Sequence, residues 1–206
     1  MKVYRIRARC VEQPAAADWC EQLVNRLGSR PRRLGRWSEL GLYGALKCLA
    51  SDSQNTLTDH AALVLSSQHG PALAMRAAVL QAREDLPLPM TFLQTQPSHL
   101  LAALSAQLGW RGDARFIVHA EPLAVLALGL SIADRHSDGL LLGWVNEVEA
   151  ESSLWLRMQL VADPGGGWCP AGAFGTLLQH ASHLRLAPAG LEVIIRRKYT
   201  ETDTSQ

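Results

Sequence analysis

The chain has almost no net charge, no apolar run of membrane length and no cysteine pair at a ligand spacing, and each absence removes a class of function. Twenty basic residues against nineteen acidic ones leave a formal charge of +1, too little for a nucleic-acid binder that works through a strong overall field. The apolar stretch at residues 122–133 is about half as long as a membrane span requires. The opening MKVYRIRARC alternates charged and apolar residues and lacks the hydrophobic segment of a secretory leader. A cytoplasmic location is the expectation, with neither a membrane nor a nucleic acid as partner. Cys10, Cys20, Cys48 and Cys169 stand far apart without a CxxC pair, so neither a metal site nor a disulfide framework is expected. No Gly-x-Ser-x-Gly elbow of a serine hydrolase occurs, and no cofactor is expected.

What is present is a chain of 206 residues, 48% hydrophobic and 19% charged, enough for one domain with a substantial core. Residues 1–199 are read as that domain and residues 200–206 as a disordered polar tail. Residues 3–9 alternate apolar and basic side chains, as a half-exposed strand does. Helices are expected at 14–27 and 37–50, a buried strand at 61–67, and a helix after the Gly70-Pro71 turn. A helix at 97–108, a strand at 116–120, a very apolar helix at 122–134 and a strand from Gly139 follow. Strands alternating with helices in this way imply an α/β domain with a mainly parallel sheet. Strands at 154–161 and 191–197 and a helix at 174–184 complete the reading. Between residues 26 and 36 the arginines Arg30, Arg32, Arg33 and Arg36 crowd around Pro31. Such a run reads first as a solvated loop and second as a contact for an acidic carrier protein.

Residues 97–149 carry an order of features that resembles the nucleophile region of the β-ketoacyl synthases of the thiolase fold. In that family a helix ends in a glycine turn and a strand follows. The nucleophilic cysteine sits where strand becomes helix, and an apolar helix leads to a strand ending Gly-Gly-x-Glu. Here Gly109-Trp110-Arg111-Gly112-Asp113 matches the turn and Phe116-Ile117-Val118-His119-Ala120 the strand. Gly143-Trp144-Val145-Asn146-Glu147 matches the later strand end, and Glu121 falls on the cysteine position. Arg36-Trp37-Ser38 before a helix and Ser66-Ser67-Gln68-His69-Gly70 after a strand are similar to further family features, so the likeness spans residues 36–150.

The resemblance implies a thiolase-like half-fold and a degenerate site. A helix N-terminus stabilises a thiolate. Glu121-Pro122 keeps the helix start, because an anion and an N1 proline both suit it, but a carboxylate cannot hold an acyl chain as a thioester. Equally, Glu121 suits any helix start without an inherited site around it. The histidines that the family uses for carbon–carbon bond formation have no counterpart after Glu149. His180 and His183 are three apart on the expected late helix without a third ligand. The expectation is therefore a catalytically inactive, chain-length-factor-like subunit in fatty acid, polyketide or aryl polyene synthesis. His119, Glu121 and Pro122 are its candidate binding residues. Phe116, Ile117, Val118, His119 and Ala120 are expected at a dimer interface, with a full-length synthase or a second copy as partner, and Arg30, Arg32, Arg33 and Arg36 against acyl carrier protein. The alternatives are a small malonyl decarboxylase-like enzyme using Glu121 and a stand-alone acyl-binding homodimer.

Overall fold

A computed structural model describes residues 1–52, 56–86 and 88–195. In chain order the elements are β1 (Val3–Glu12), α1 (Trp19–Leu27), α2 (Arg36–Ala50), β2 (Ala62–Ser67), α3 (Ala72–Arg83), α4 (Pro89–Gln94) and α5 (Ser98–Leu108). There follow β3 (Ala114–Val118), α6 (Pro122–Ala133), β4 (Leu140–Asn146), β5 (Ser152–Val161), β6 (Cys169–Pro170), α7 (Phe174–His180), β7 (Ala181–Ala187) and β8 (Gly190–Ile195). Among the described residues the strands form one sheet in the order β3-β2-β4-β5-β1-β7-β8-β6.

The α/β class is as expected, but the sheet is mixed. Among the described residues only β2–β3 and β2–β4 pair parallel, and the other five pairings are antiparallel. The reason lies in the connections. A parallel pair needs a long crossover, which α3–α5 and α6 supply around β2. The links from β4 to β5 and from β7 to β8 are only a few residues long and admit antiparallel return alone.

Both faces of the central strands are buried, so each strand reads as an apolar run with its alternate residues in different layers. Leu63, Leu65, Leu141, Val145 and Trp155 pack on one side with α1, α2 and α5. Ala62, Val64, Leu140, Leu142 and Leu156 pack on the other with α6, α7, β7 and β8. Helix α2 sits unusually close to the sheet. A Cβ on Gly44 would lie 2.1 Å from the Ser153 hydroxyl, and one on Gly143 would meet the Trp155 ring at 2.5 Å. Ser153 in turn donates to the Leu40 carbonyl at 3.0 Å, satisfying a polar group that this approach buries.

The apolar helix after the elbow is buried on one face, through Val125, Leu126, Gly129, Leu130 and Ala133, and not on all sides. Leu177, Leu178, Ala181, Leu184 and Val193 of the last elements cover it, while Leu128 remains 48% exposed. The late helix ends at His180, where Ala181 turns extended and β7 begins. His180 and His183 therefore do not share a helical face, and pairing with β8 overrides the local pattern. The first helix starts at Trp19, five residues later than the sequence reading at 14–27 places it. The strand read at 116–120 occupies Ala114–Val118. The last strand is described to Ile195, and the expected tail at 200–206 lies outside the described residues. Among the described residues no helix is long and apolar enough to cross a membrane.

The four cysteines are free thiols. Burial pushes Cys10 and Cys48 up to about 12, with Glu12 and Cys10 respectively as lesser contributions. A thiol-specific chromogenic reagent at pH 8 should therefore modify the half-buried Cys20 and Cys169 in the folded protein and reach Cys10 and Cys48 only in denaturant. Rapid reaction of all four without denaturant would contradict this burial.

Candidate functional site

Because β2, β3 and β4 run parallel, their carboxyl ends open on one edge of the sheet, the position where α/β folds place ligands. The β2 end is a tight hydrogen-bonded turn. The Ser67 hydroxyl donates to Asn146 Oδ1 at 3.1 Å and accepts the Gly70 N–H at 2.8 Å. Asn146 Oδ1 also accepts the Gln68 N–H at 2.9 Å, which ties the end of β4 to the turn. Glu147 completes this junction. Its carboxylate is buried, and Oε1 accepts the Leu73 N–H in the first turn of α3 at 2.8 Å. Burial pushes the Glu147 carboxyl up, assisted by Glu151 and opposed by the Leu73 N–H and Arg36. The glutamate of the expected strand end thus serves as a clamp between β4 and α3, a role invisible in the sequence because Leu73 is 74 residues away.

Glu121 stands where β3 passes into α6. It is the N-cap residue, extended at φ −103° and ψ 108°, with Pro122 at the first helical position and no side-chain capping bond. The Glu121 N–H donates to His119 Nδ1 at 2.9 Å. The His119 N–H donates to the Ser67 carbonyl at 3.1 Å, joining the elbow to the β2 turn. His119, Ala120 and Glu121 are exposed and Pro122 half-buried. The arrangement offers a helix N-terminus, a carboxyl group and an imidazole, and it contains no thiol. Among the described residues no group of three or more His, Cys, Asp or Glu side chains is placed to hold a metal.

The expected interface strand lies at the sheet edge, bonded to β2 on one side. Phe116 and Ile117 are half-buried, and Phe116 meets the Trp37 ring edge-on at 5.8 Å. Val118 is 59% exposed. Helices α3 and α4, on the crossover between β2 and β3, contain no buried residue at all. Their apolar side chains face outward, with Val79, Leu80 and Phe92 each more than half exposed. Gly70, in the turn that leads from β2 into α3, borders the Phe116 ring of β3. The sequence signal was present: residues 72–94 carry only Arg76, Arg83, Glu84 and Asp85 as charges, too few to solvate two surface helices.

The four arginines divide. Arg30 forms a two-pronged pair with buried Glu39 at 3.0 and 2.9 Å. Arg36 pairs with Glu151 and lies 5.1 Å over the Trp19 ring. Burial raises the Glu151 carboxyl, but the Arg36 and Trp19 hydrogen bonds outweigh it and hold the group below its ordinary value. Arg32 and Arg33 are exposed.

With this geometry, the chain is similar in fold to solved ketosynthase assemblies. A chain of the ketosynthase (ApeO) in complex with its chain length factor (ApeC) from Xenorhabdus doucetiae matches with a TM-score of 0.56 and 17% identity, over 76% of this chain and 70% of that one. A chain of the ishigamide ketosynthase/chain length factor matches with a TM-score of 0.58 and 13% identity, over 79% of this chain and 63% of that one. No protein-family model matches the sequence, and no curated protein does. At these identities the likeness is one of fold, and it is the thiolase-like fold that the residues around Glu121 imply.

Proposed function

We propose that this chain is a non-catalytic partner subunit of a β-ketoacyl synthase in carrier-protein-dependent, polyketide-type synthesis. The observation that carries the reading is the exposed apolar surface of α3 and α4 in a chain whose β3 strand lies at the sheet edge and whose elbow holds Glu121 in place of a thiol. Exposed apolar surface on this scale marks an interface, and an unpaired strand edge invites pairing. A second support is that the two solved structures described above come from assemblies of a ketosynthase with a chain length factor. The partner is accordingly read as a full-length synthase, and a second copy of this chain is the competing occupant.

Co-expression with a synthase encoded nearby, followed by size-exclusion chromatography, tests this directly. A stable complex is expected, and a self-paired dimer that ignores the synthase would refute the choice of partner. Two chemical outcomes go with it. Incubated with radiolabelled malonyl carrier protein, the chain should gain no covalent label and release no carbon dioxide. Labelling, or decarboxylation that disappears in Glu121→Gln, would make it an enzyme. The variant Glu121→Cys should likewise form no carbon–carbon bond by itself, because the elbow supplies no histidine pair for the decarboxylative step. A condensation product from that variant alone would overturn the proposal.

A further inference from the structure

Helix α3 is built inside out. Its half-buried side consists of Ala74, Ala77, Ala78 and Gln81, whereas Leu73, Met75, Val79 and Leu80 face solvent. Alanine side chains bury little apolar surface, and among the described residues Gln81 Oε1 is buried without a hydrogen-bond partner. The inward side therefore offers little to hold the helix, and a helix of 12 residues is marginal in water without a packed face. What fastens α3 is polar and sits at its start. Pro71, the N-cap, supplies no side-chain capping bond. The Leu73 N–H instead donates to Glu147 Oε1, just past the end of β4. Asn146 holds Gln68 and Ser67 holds Gly70, so the connection from β2 is tied down stepwise as far as Leu73. Alongside lies a cleft of about 290 Å³, lined by His69, Ala72, Met75, Arg76 and Val148, between the first turns of α3 and the chain after Glu147.

We infer that α3 is a detachable docking arm, anchored at its first turn by the Glu147 carboxyl, and that this anchor presents its apolar face to the partner. The synthase as that partner is taken from the function proposed above, whereas the anchoring stands on the geometry of α3 alone. A face that is already ordered loses less freedom on binding, so the anchor acts on affinity without touching the partner, and Glu147 is a positioning residue. Burial already disfavours the charged form of Glu147. The anchor thus needs an acceptor oxygen and not a charge, which a glutamine amide also supplies.

Hydrogen exchange read by mass spectrometry on the full chain, together with binding to the immobilised synthase encoded nearby, tests this with two variants. Glu147→Leu should speed exchange across α3 about tenfold or more while β2 and β4 stay protected, and should weaken synthase binding about tenfold. Glu147→Gln should bring both readings back to within about twofold of the wild type. Unchanged exchange in α3 of Glu147→Leu would overturn the anchor and leave the proposed function standing. Faster exchange there with unchanged synthase affinity would overturn the docking role, again without removing the partner. A loss of protection that spreads over β2 and β4 would make Glu147 a core residue and overturn the arm. A wild-type chain that binds no synthase would overturn the proposed function and the docking role with it, while the exchange rates would still decide the anchoring.

Discussion

Replacing Arg157 with leucine is expected to lower stability by about 3 kcal/mol, the lower end of the cost of removing one partner from a buried ion pair. Arg157 is 1% exposed in the middle of β5. One arm donates to Asp138 Oδ2 at 2.9 Å, and the other donates to the carbonyls of Asp138 and Met158 at 2.9 and 2.8 Å. Asp138 also accepts the Thr58 hydroxyl at 2.7 Å, so the guanidinium gathers the loops that precede β2 and β4 onto β5. Leucine would leave a carboxylate and two carbonyls without their donor. The lower end applies because the Asp138 side chain is 19% accessible and water reaches part of it. For a chain of this length the loss corresponds to a melting temperature about 6–12 °C lower. Arg115, whose pair with Asp113 lies at the surface, supplies the control: Arg115→Leu should leave the midpoint nearly unchanged. The double variant Arg157→Leu/Asp138→Leu should recover part of the loss, since removing both charges removes the stranded one. A midpoint for Arg157→Leu within a degree of the wild type would mean that the pair contributes no net stability.

The same region marks how far the sequence could be read. Between Trp37 and Asn146 every element but the short α4, which follows a proline-rich break, was legible because each carries its own period and its own punctuation: Gly109 at φ 61° ends α5, and Pro122 opens α6. The buried strands Ala62–Ser67 and Leu140–Asn146 declared themselves as short apolar runs. The strand–helix elbow at Glu121 was legible for the same reason, and so was the fold. What stayed hidden depended on distance along the chain. Nothing local tells that Ser152–Val161 lies between β4 and β1, that Glu147 reaches Leu73, or that Arg30 and Arg36 meet Glu39 and Glu151. Read as a charge run, four arginines looked equivalent. In the fold all four are exposed, but Arg30 and Arg36 are already paired, with Glu39 and Glu151.

Val79→Asp combined with Phe92→Asp is expected to abolish pairing with the synthase while leaving the fold intact. Val79 is 53% and Phe92 62% exposed, and neither α3 nor α4 contributes a buried residue. An aspartate at either position is therefore solvated in the isolated chain, and surface changes of this kind shift stability by no more than about 0.5 kcal/mol. In a complex the same carboxylate would be desolvated against apolar surface. Losing a central apolar anchor costs about 2 kcal/mol per side chain, and two anchors together weaken association about a thousandfold. The circular dichroism spectrum and melting temperature should match the wild type, and the co-purified synthase should disappear. Glu121→Gln provides the opposite control. It alters the elbow beside the same edge without burdening the apolar surface, so the complex should persist. If pairing survives the double aspartate and is lost with Glu121→Gln, the partner grips the elbow and not the helices, and the apolar surface of α3 and α4 serves some other contact.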